Sequence, residues 1–278
     1  MSAIPFRKMH GLGNDFVVID GRDAPIALAD AAVRAVAARR TGVGCDQLIV
    51  IEPSPRASAA AYMRILNADG SEAEACGNAA RCVAWLLAQE RGDGRVRLDS
   101  AGGLLQADVG PDRRVTVDMG VPRTGWRDIP LARAMDTDRV DLALGPLAEP
   151  VCTSMGNPHA TFFVPDAEAV DLAGLGPALE RHTLFPQRAN IGVASLIDRR
   201  TIRLRVWERG AGITAACGTG ACAAVVAAHR RGLAERRATV RLDGGALDID
   251  WRDDGHVLMT GPVALSFEGT LDPAMLAG

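Results

Sequence analysis

The sequence predicts an α+β fold made of two pseudo-symmetric halves, on three observations. Strand-like runs outnumber helical ones, which argues against a doubly wound sheet. A Cys-Gly turn leading into a helix occurs twice, at Cys76-Gly77-Asn78 and at Cys217-Gly218-Thr219. Flanking landmarks recur in the same order: 217 − 76 and 208 − 67 both give 141, and 157 − 14 and 190 − 47 both give 143.

The elements follow in chain order. Leu12-Gly13-Asn14-Asp15 leads into the apolar run 16–19, and Met155-Gly156-Asn157-Pro158-His159 leads into 161–164. Leu28, Ala32 and Val36 keep a helical period over 28–40, and a counterpart spans 171–181; both helices are expected on the outside. Gln47 opens the run 48–51, as Asn190 opens 191–194. Alternating or β-branched runs at 58–66, 95–99, 104–109 and 113–118, punctuated by Gly and Pro, read as strands. Residues 78–90 place Ala80, Val83, Ala84 and Leu87 on one helical face, and 219–230 repeat the pattern with small residues almost all round. A helix with so little bulk predicts burial, with strands packed closely about it. The link between halves is expected near Gly120-Val121-Pro122, giving domains 1–119 and 120–262. A last strand, Val263–Phe267, follows Gly261-Pro262 and returns residues 263–278 to the first half.

Composition narrows the function. With 48% hydrophobic and 23% charged residues the chain reads as globular, and its 278 residues suffice for a substantial core. A net charge of −3 gives no electrostatic case for nucleic acid. No run approaches the ~20 apolar residues that cross a bilayer, so a cytoplasmic protein with no membrane partner is expected. Lys8 is the single lysine beside thirty arginines. Pyridoxal catalysis needs a lysine for its Schiff base, which makes that cofactor a poor match. The six cysteines miss the paired C-x2-C spacing of zinc sites, so no metal is expected. Cys45, Cys82, Cys152 and Cys222 read as buried, inert thiols.

Cys76 and Cys217 differ because each begins a helix. There a thiol faces backbone N–H groups and the positive end of the helix dipole, which favour thiolate and lower its pKa. The same N–H groups, with Gly77 and Gly218 allowing close approach, form an anion site. A carboxylate docked there brings its α-carbon beside sulfur, and the backbone donors stabilise charge that develops as the α-proton leaves. Two such turns put sulfur on both faces of one carbon: a thiolate removes the proton and a thiol returns another, inverting the centre without a cofactor. The other polar landmarks admit two readings. His159 lies at a duplicated landmark, against the ordinary role of a hydrogen-bonding histidine. Glu208 is either a functional carboxylate or an exposed strand end. Asn14, Gln47, Asn67, Asn157 and Asn190 are either turn residues or a neutral set suited to a zwitterion. Arg209 is placed to bind a carboxylate bidentately.

The stretches Phe6–Asp20, Gly42–Leu48, Asn67–Cys82, Met155–His159 and Glu208–Ala223 strongly resemble the diaminopimelate epimerase family. The resemblance implies two halves, each a mostly antiparallel, barrel-like sheet wrapped round a central helix. It implies cofactor-independent interconversion of LL- and meso-diaminopimelate, feeding lysine and peptidoglycan synthesis, by a homodimer. On matching positions, Cys76 and Cys217 are the implied catalytic pair and His159 and Glu208 the groups that assist them. Asn14, Gln47, Asn67, Asn157, Asn190 and Arg209 resemble the contacts to the small amino-acid substrate. Gly77-Asn78 and Gly218-Thr219 resemble its carboxylate-binding turns. Ala79 stands where the family commonly has glycine, and Ile191-Gly192 where Glu-Phe is usual. Three alternatives stay open: a proline or hydroxyproline epimerase, which would need a closed apolar site, a non-catalytic member of the fold, and a thiol redox switch in which Cys76 and Cys217 form a disulfide.

Overall fold

The computed structural model describes residues 4–74 and 76–275. The chain divides into one unit of residues 1–117 and 261–278 and another of residues 118–260.

The first unit opens with a hairpin of β1 (Ile4–Gly11) and β2 (Asn14–Asp20). Helix α1 (Asp30–Ala37) buries Ala32, Val33, Val36 and Ala37, the side chains that share one face at helical spacing. It leads to β3 (Gln47–Glu52), which runs parallel to β2 and antiparallel to β4 (Ala61–Asn67). The short β5 (Glu72–Ala73) folds back on β4, and α2 (Gly77–Arg91) follows. Strand β6 (Arg95–Asp99) pairs in parallel with β4 and continues as an antiparallel meander through β7 (Leu105–Val109) and β8 (Arg114–Asp118).

Helix α1 is shorter than the predicted 28–40. The backbone becomes extended at Ala38 and then turns back, with Gly42 N donating to Ala38 O and Gly44 N to Val36 O. A Cβ on Gly42 would lie 2.0 Å from Ala35 O, so only glycine lets the chain reverse against the helix end and deliver Asp46 and Gln47 to β3.

The second unit holds a small hairpin of β9 (Ala143–Leu144) and β10 (Leu147–Ala148), and then repeats the order of the first. It runs β11 (Val151–Ser154), β12 (Pro158–Phe163), α3 (Leu172–Glu180), β13 (Asn190–Asp198), β14 (Thr201–Glu208), β15 (Gly212–Ile213) and α4 (Gly218–Arg230). The meander β16 (Arg237–Leu242), β17 (Gly245–Trp251) and β18 (Val257–Pro262) completes it. Strand β12 is parallel to β13 and β14 is parallel to β16, as in the first unit, and the rest pair antiparallel. The last strand, β19 (Ala264–Leu271), pairs antiparallel with β1 in the first unit.

The duplication reaches the register. Phe16 opposes Gln47 across the parallel pair, and His159 opposes Asn190 in the second unit, each 143 residues on. Leu66 faces Glu72 and Trp207 faces Ile213, each 141 on.

In each unit the central helix lies inside a sheet that curls about it. Helix α2 packs on β1, β2, β6 and β7, and α4 on β11, β12, β13, β14, β16 and β17. From Ala221 to Ala228 every residue of α4 is fully buried, which explains the run of Ala, Cys and Val: bulkier residues would hold the strands away. This is the α+β architecture that the sequence predicts. Cys45, Cys82, Cys152 and Cys222 are all buried as expected, and burial pushes the thiol of Cys45 up to about 11 and those of Cys82 and Cys152 up to about 12.

Candidate active site

In the first unit Cys76 is the N-cap of α2, with extended backbone (φ −148, ψ 107). Its sulfur accepts a hydrogen bond from Ala79 N at 3.5 Å and donates to Asn14 Oδ1 at 3.8 Å. The N–H groups of the first turn, including that of Gly77, point out along the helix axis, where no carbonyl of the helix can take them. Asn14 opens β2, and its Oδ1 also accepts from Asn78 Nδ2 at 3.2 Å. Because β2 and β3 are parallel and β4 runs back, Asn14, Gln47 and Asn67 reach the same edge of the sheet. Gln47 and Asn67 are register partners joined by a 3.0 Å bond from Nε2 to Oδ1. Gln47 Oε1 is buried with no hydrogen-bond partner among the described residues, an acceptor facing unmet demand.

The second unit assembles its own group at the matching edge. Cys217 is the N-cap of α4 (φ −117, ψ 108) and is buried, under the electrostatic influence of the Glu208 carboxylate at the end of β14. Thr219 Oγ1 lies 3.7 Å from its sulfur, in the turn begun by Gly218. Asn157 Nδ2 donates to Thr219 Oγ1 at 3.3 Å, and Asn157 Oδ1 lies 3.0 Å from His159 Nε2. An amide oxygen can only accept, so Nε2 carries the hydrogen, and a polar chain runs from His159 through Asn157 and Thr219 to Cys217. Asn190 opens β13; its Nδ2 donates to Pro158 O and its Oδ1 accepts from Arg209 N, both at 2.9 Å. The Arg209 guanidinium donates to Gln187 O at 3.1 Å.

The charge state of Cys217 is not the one that a helix end alone would favour. Burial, and then the charge of Glu208, push this thiol well above its ordinary range. A helix end favours the thiolate, but here desolvation and a carboxylate outweigh it. Cys217 therefore rests as a thiol.

His159 is fully buried, and burial with the neighbouring Arg209 charge depresses its pKa to about 3. Between about pH 3 and 6.5 the unfolded chain then binds a proton that the folded chain does not, so stability from this group is full above 6.5 and falls with pH. The expected loss is up to about 1.4 kcal/mol per pH unit below 6.5. Urea denaturation of wild type and His159→Gln at pH 7 and pH 5 measures it; the wild type should lose the larger share of stability.

Sequence reasoning missed Glu180, at the end of α3. Its buried carboxylate accepts from Trp207 Nε1 at 2.7 Å and Gly210 N at 3.1 Å, bracketing Glu208 and Arg209 from both sides. Its one sequence signal is a carboxylate closing a helix otherwise without charge.

Against known proteins, the family model for diaminopimelate epimerase matches residues 6–125 and 151–266. The chain belongs to the diaminopimelate epimerase family. The diaminopimelate epimerase of Acidiphilium cryptum is 60% identical over 276 residues, covering 99% of each chain. That of Rhodospirillum centenum is 59% identical, covering 98% of this chain and 94% of its own. A solved hydroxyproline epimerase from Agrobacterium vitis, with trans-4-hydroxy-L-proline bound, has a TM-score of 0.69 at 16% identity over 98% of this chain and 94% of that one, which shows a shared fold. As a member of the diaminopimelate epimerase family the chain is an enzyme, an isomerase. Among the described residues no helix is long and apolar enough to cross a membrane, and no group of three or more His, Cys, Asp or Glu could hold a metal ion.

Proposed function

We propose that this member of the diaminopimelate epimerase family interconverts LL- and meso-diaminopimelate by two-base proton transfer between Cys76 and Cys217. The observation that carries the reading is the pair of N-cap thiols in a duplicated frame, each with different polar partners. The substrate carboxylate lies against the turns Gly77-Asn78 and Gly218-Thr219. Cys76, a partly exposed thiol, first gives its proton to solvent; its thiolate takes the α-proton, the C–H electron pair flows into the carboxylate, and the Cys217 S–H gives its proton to the opposite face. Afterwards Cys76 holds the proton and Cys217 is thiolate, poised for the reverse direction. The state of Cys217 supports this order, since it holds its proton at rest. Glu208 receives that proton when Cys217 must act as base. His159, neutral near pH 7, orients Asn157 and through it the Thr219 hydroxyl. Asn14, Gln47, Asn67, Asn157, Asn190 and Arg209 bind the zwitterionic substrate, with Gln47 Oε1 an acceptor for its ammonium group. No cofactor takes part. The reaction supplies lysine and peptidoglycan precursors in the cytoplasm, and the enzyme acts as a homodimer of domains 1–119 with 263–278 and 120–262. Polar residues ring both thiols, which favours a substrate with a second polar end over proline.

Incubation in deuterium oxide tests the reading. LL-diaminopimelate should gain deuterium at one α-carbon while converting to the meso form, and proline should not exchange. Exchange on proline but not on diaminopimelate would overturn it.

A further inference from the structure

We propose that Arg81 and Asp46 are positioning residues: two fixed charges at the ends of an amide chain that decide which way Asn78 and Asn14 point, and hence what Cys76 and the substrate meet. The inference rests on the reading of Cys76-Gly77-Asn78 as a substrate-binding turn.

The chain lies wholly in the first unit. Arg81, on α2, is fully buried, and its Nη2 donates to Asn78 Oδ1 at 2.8 Å. Asn78 Nδ2 donates to Asn14 Oδ1 at 3.2 Å, and Asn14 Nδ2 donates to Asp46 Oδ2 at 2.9 Å. A guanidinium only donates and a carboxylate only accepts. With those ends fixed, reversing either amide sets N–H against N–H or oxygen against oxygen. The result turns Asn14 Oδ1, an acceptor, toward the Cys76 thiol.

Both charges are themselves held in place. A Cβ on Gly11 would stand 2.7 Å from Arg81 Nη2, so glycine there leaves room for the guanidinium. Asp46 Oδ2 accepts from Asp15 N at 3.0 Å, and its Oδ1 accepts from Arg39 Nη2 at 2.6 Å.

The second half lacks the device. Adding 141 to 81 gives Cys222, and adding 143 to 46 gives Ala189, so neither charge is duplicated. There the counterpart of Asn14, Asn157, turns its Nδ2 toward Thr219, and the Thr219 hydroxyl faces Cys217. The two halves thus set opposite amide polarity on the thiol side: an acceptor toward Cys76, and a donor relay toward Cys217. A duplicated frame gains two ends of different chemistry, as a site must that tells one end of its substrate from the other.

Asp46→Asn and Arg81→Gln replace each one-way end with an amide that both gives and takes, releasing the orientation. Two readouts apply: the KM and kcat for LL-diaminopimelate, and the iodoacetamide alkylation rate of Cys76 at pH 7 without substrate, followed by peptide mass spectrometry. Asp46→Asn should raise KM about tenfold with a smaller change in kcat, the worth of one charge-assisted hydrogen bond. It should also speed Cys76 alkylation, because a reversed Asn14 offers N–H donors to sulfur. Asp108→Asn removes an exposed ion pair to Arg95 elsewhere in the first unit, and should match wild type in both readouts. Wild-type KM and alkylation in Asp46→Asn, or the same change in Asp108→Asn, would overturn the proposal. If Arg81→Gln does not fold, the exposed end at Asp46 still decides. Alkylation needs no turnover, so a wild-type enzyme inert toward diaminopimelate would refute the proposed substrate and leave this test standing.

Discussion

Cys76→Ala and Cys217→Ala should each lose inversion of diaminopimelate by at least about 10⁴-fold, the upper range for one general acid or base, while the fold survives. The mechanism needs one sulfur to accept a proton and the other to supply one, so either loss breaks the same step. Cys76 is only partly buried, and alanine there removes a hydrogen bond from Ala79 N and one to Asn14. Cys217 is fully enclosed, and removing its sulfur leaves a small void beside Glu208. Both changes are small in volume, so circular dichroism and thermal midpoints near wild type should accompany the loss. Substantial inversion by either variant would sink the two-base mechanism. Glu208→Gln separates the roles further. It removes the negative charge that holds the Cys217 proton, so the alkylation midpoint of Cys217 should move to lower pH. Turnover should fall with it, since the carboxylate that receives this proton is gone.

Much of the frame is legible in the sequence because duplication is arithmetic. The equal offsets place each cysteine at a helix start, and both are N-caps. They also place Asn14, Gln47 and Asn67, like Asn190 and Glu208, at strand ends, and Asn157 in the turn just before β12. The run of small residues over 219–230 announces a buried helix through its lack of bulk alone. The illegible parts depend on neighbours distant in sequence. The state of Cys217 is set by its enclosure and by Glu208, which outweigh the local helix-end effect that its position suggests. Helix α1 stops early because Gly42 folds against Ala35 O, a contact that periodicity does not register. Arg81 and Asp46 carry no pattern in the sequence that marks them, and Glu180 only its place at the end of an uncharged helix. Their importance comes from what they touch.

Gly176→Ala should destabilise the protein by about 1–3 kcal/mol, the cost of overpacking a closed site. The sign makes this informative, because alanine in place of glycine inside a helix ordinarily stabilises by about 0.5–1 kcal/mol. Gly176 lies within α3, and a Cβ there would stand 2.5 Å from Trp207 Cδ2 and 2.7 Å from its Cγ and Cε3. Those atoms belong to a rigid ring, so no flexible tip can swing away. The ring cannot slide freely either, because Glu180 holds its Nε1 at 2.7 Å. Relief must come from moving the end of β14, which carries Glu208 and Arg209. Stability and chemistry should therefore fall together: a lower urea midpoint, reduced turnover, and a Cys217 alkylation midpoint shifted as Glu208 moves from the sulfur. Glu180→Gln supplies the comparison, since it keeps an acceptor for Trp207 but turns an N–H toward Gly210. It should loosen the same strand end without the steric clash, lowering turnover more than stability. A Gly176→Ala variant as stable as wild type would show that α3 and Trp207 are not in close contact, and would remove the basis for Glu180 as the clamp on Glu208.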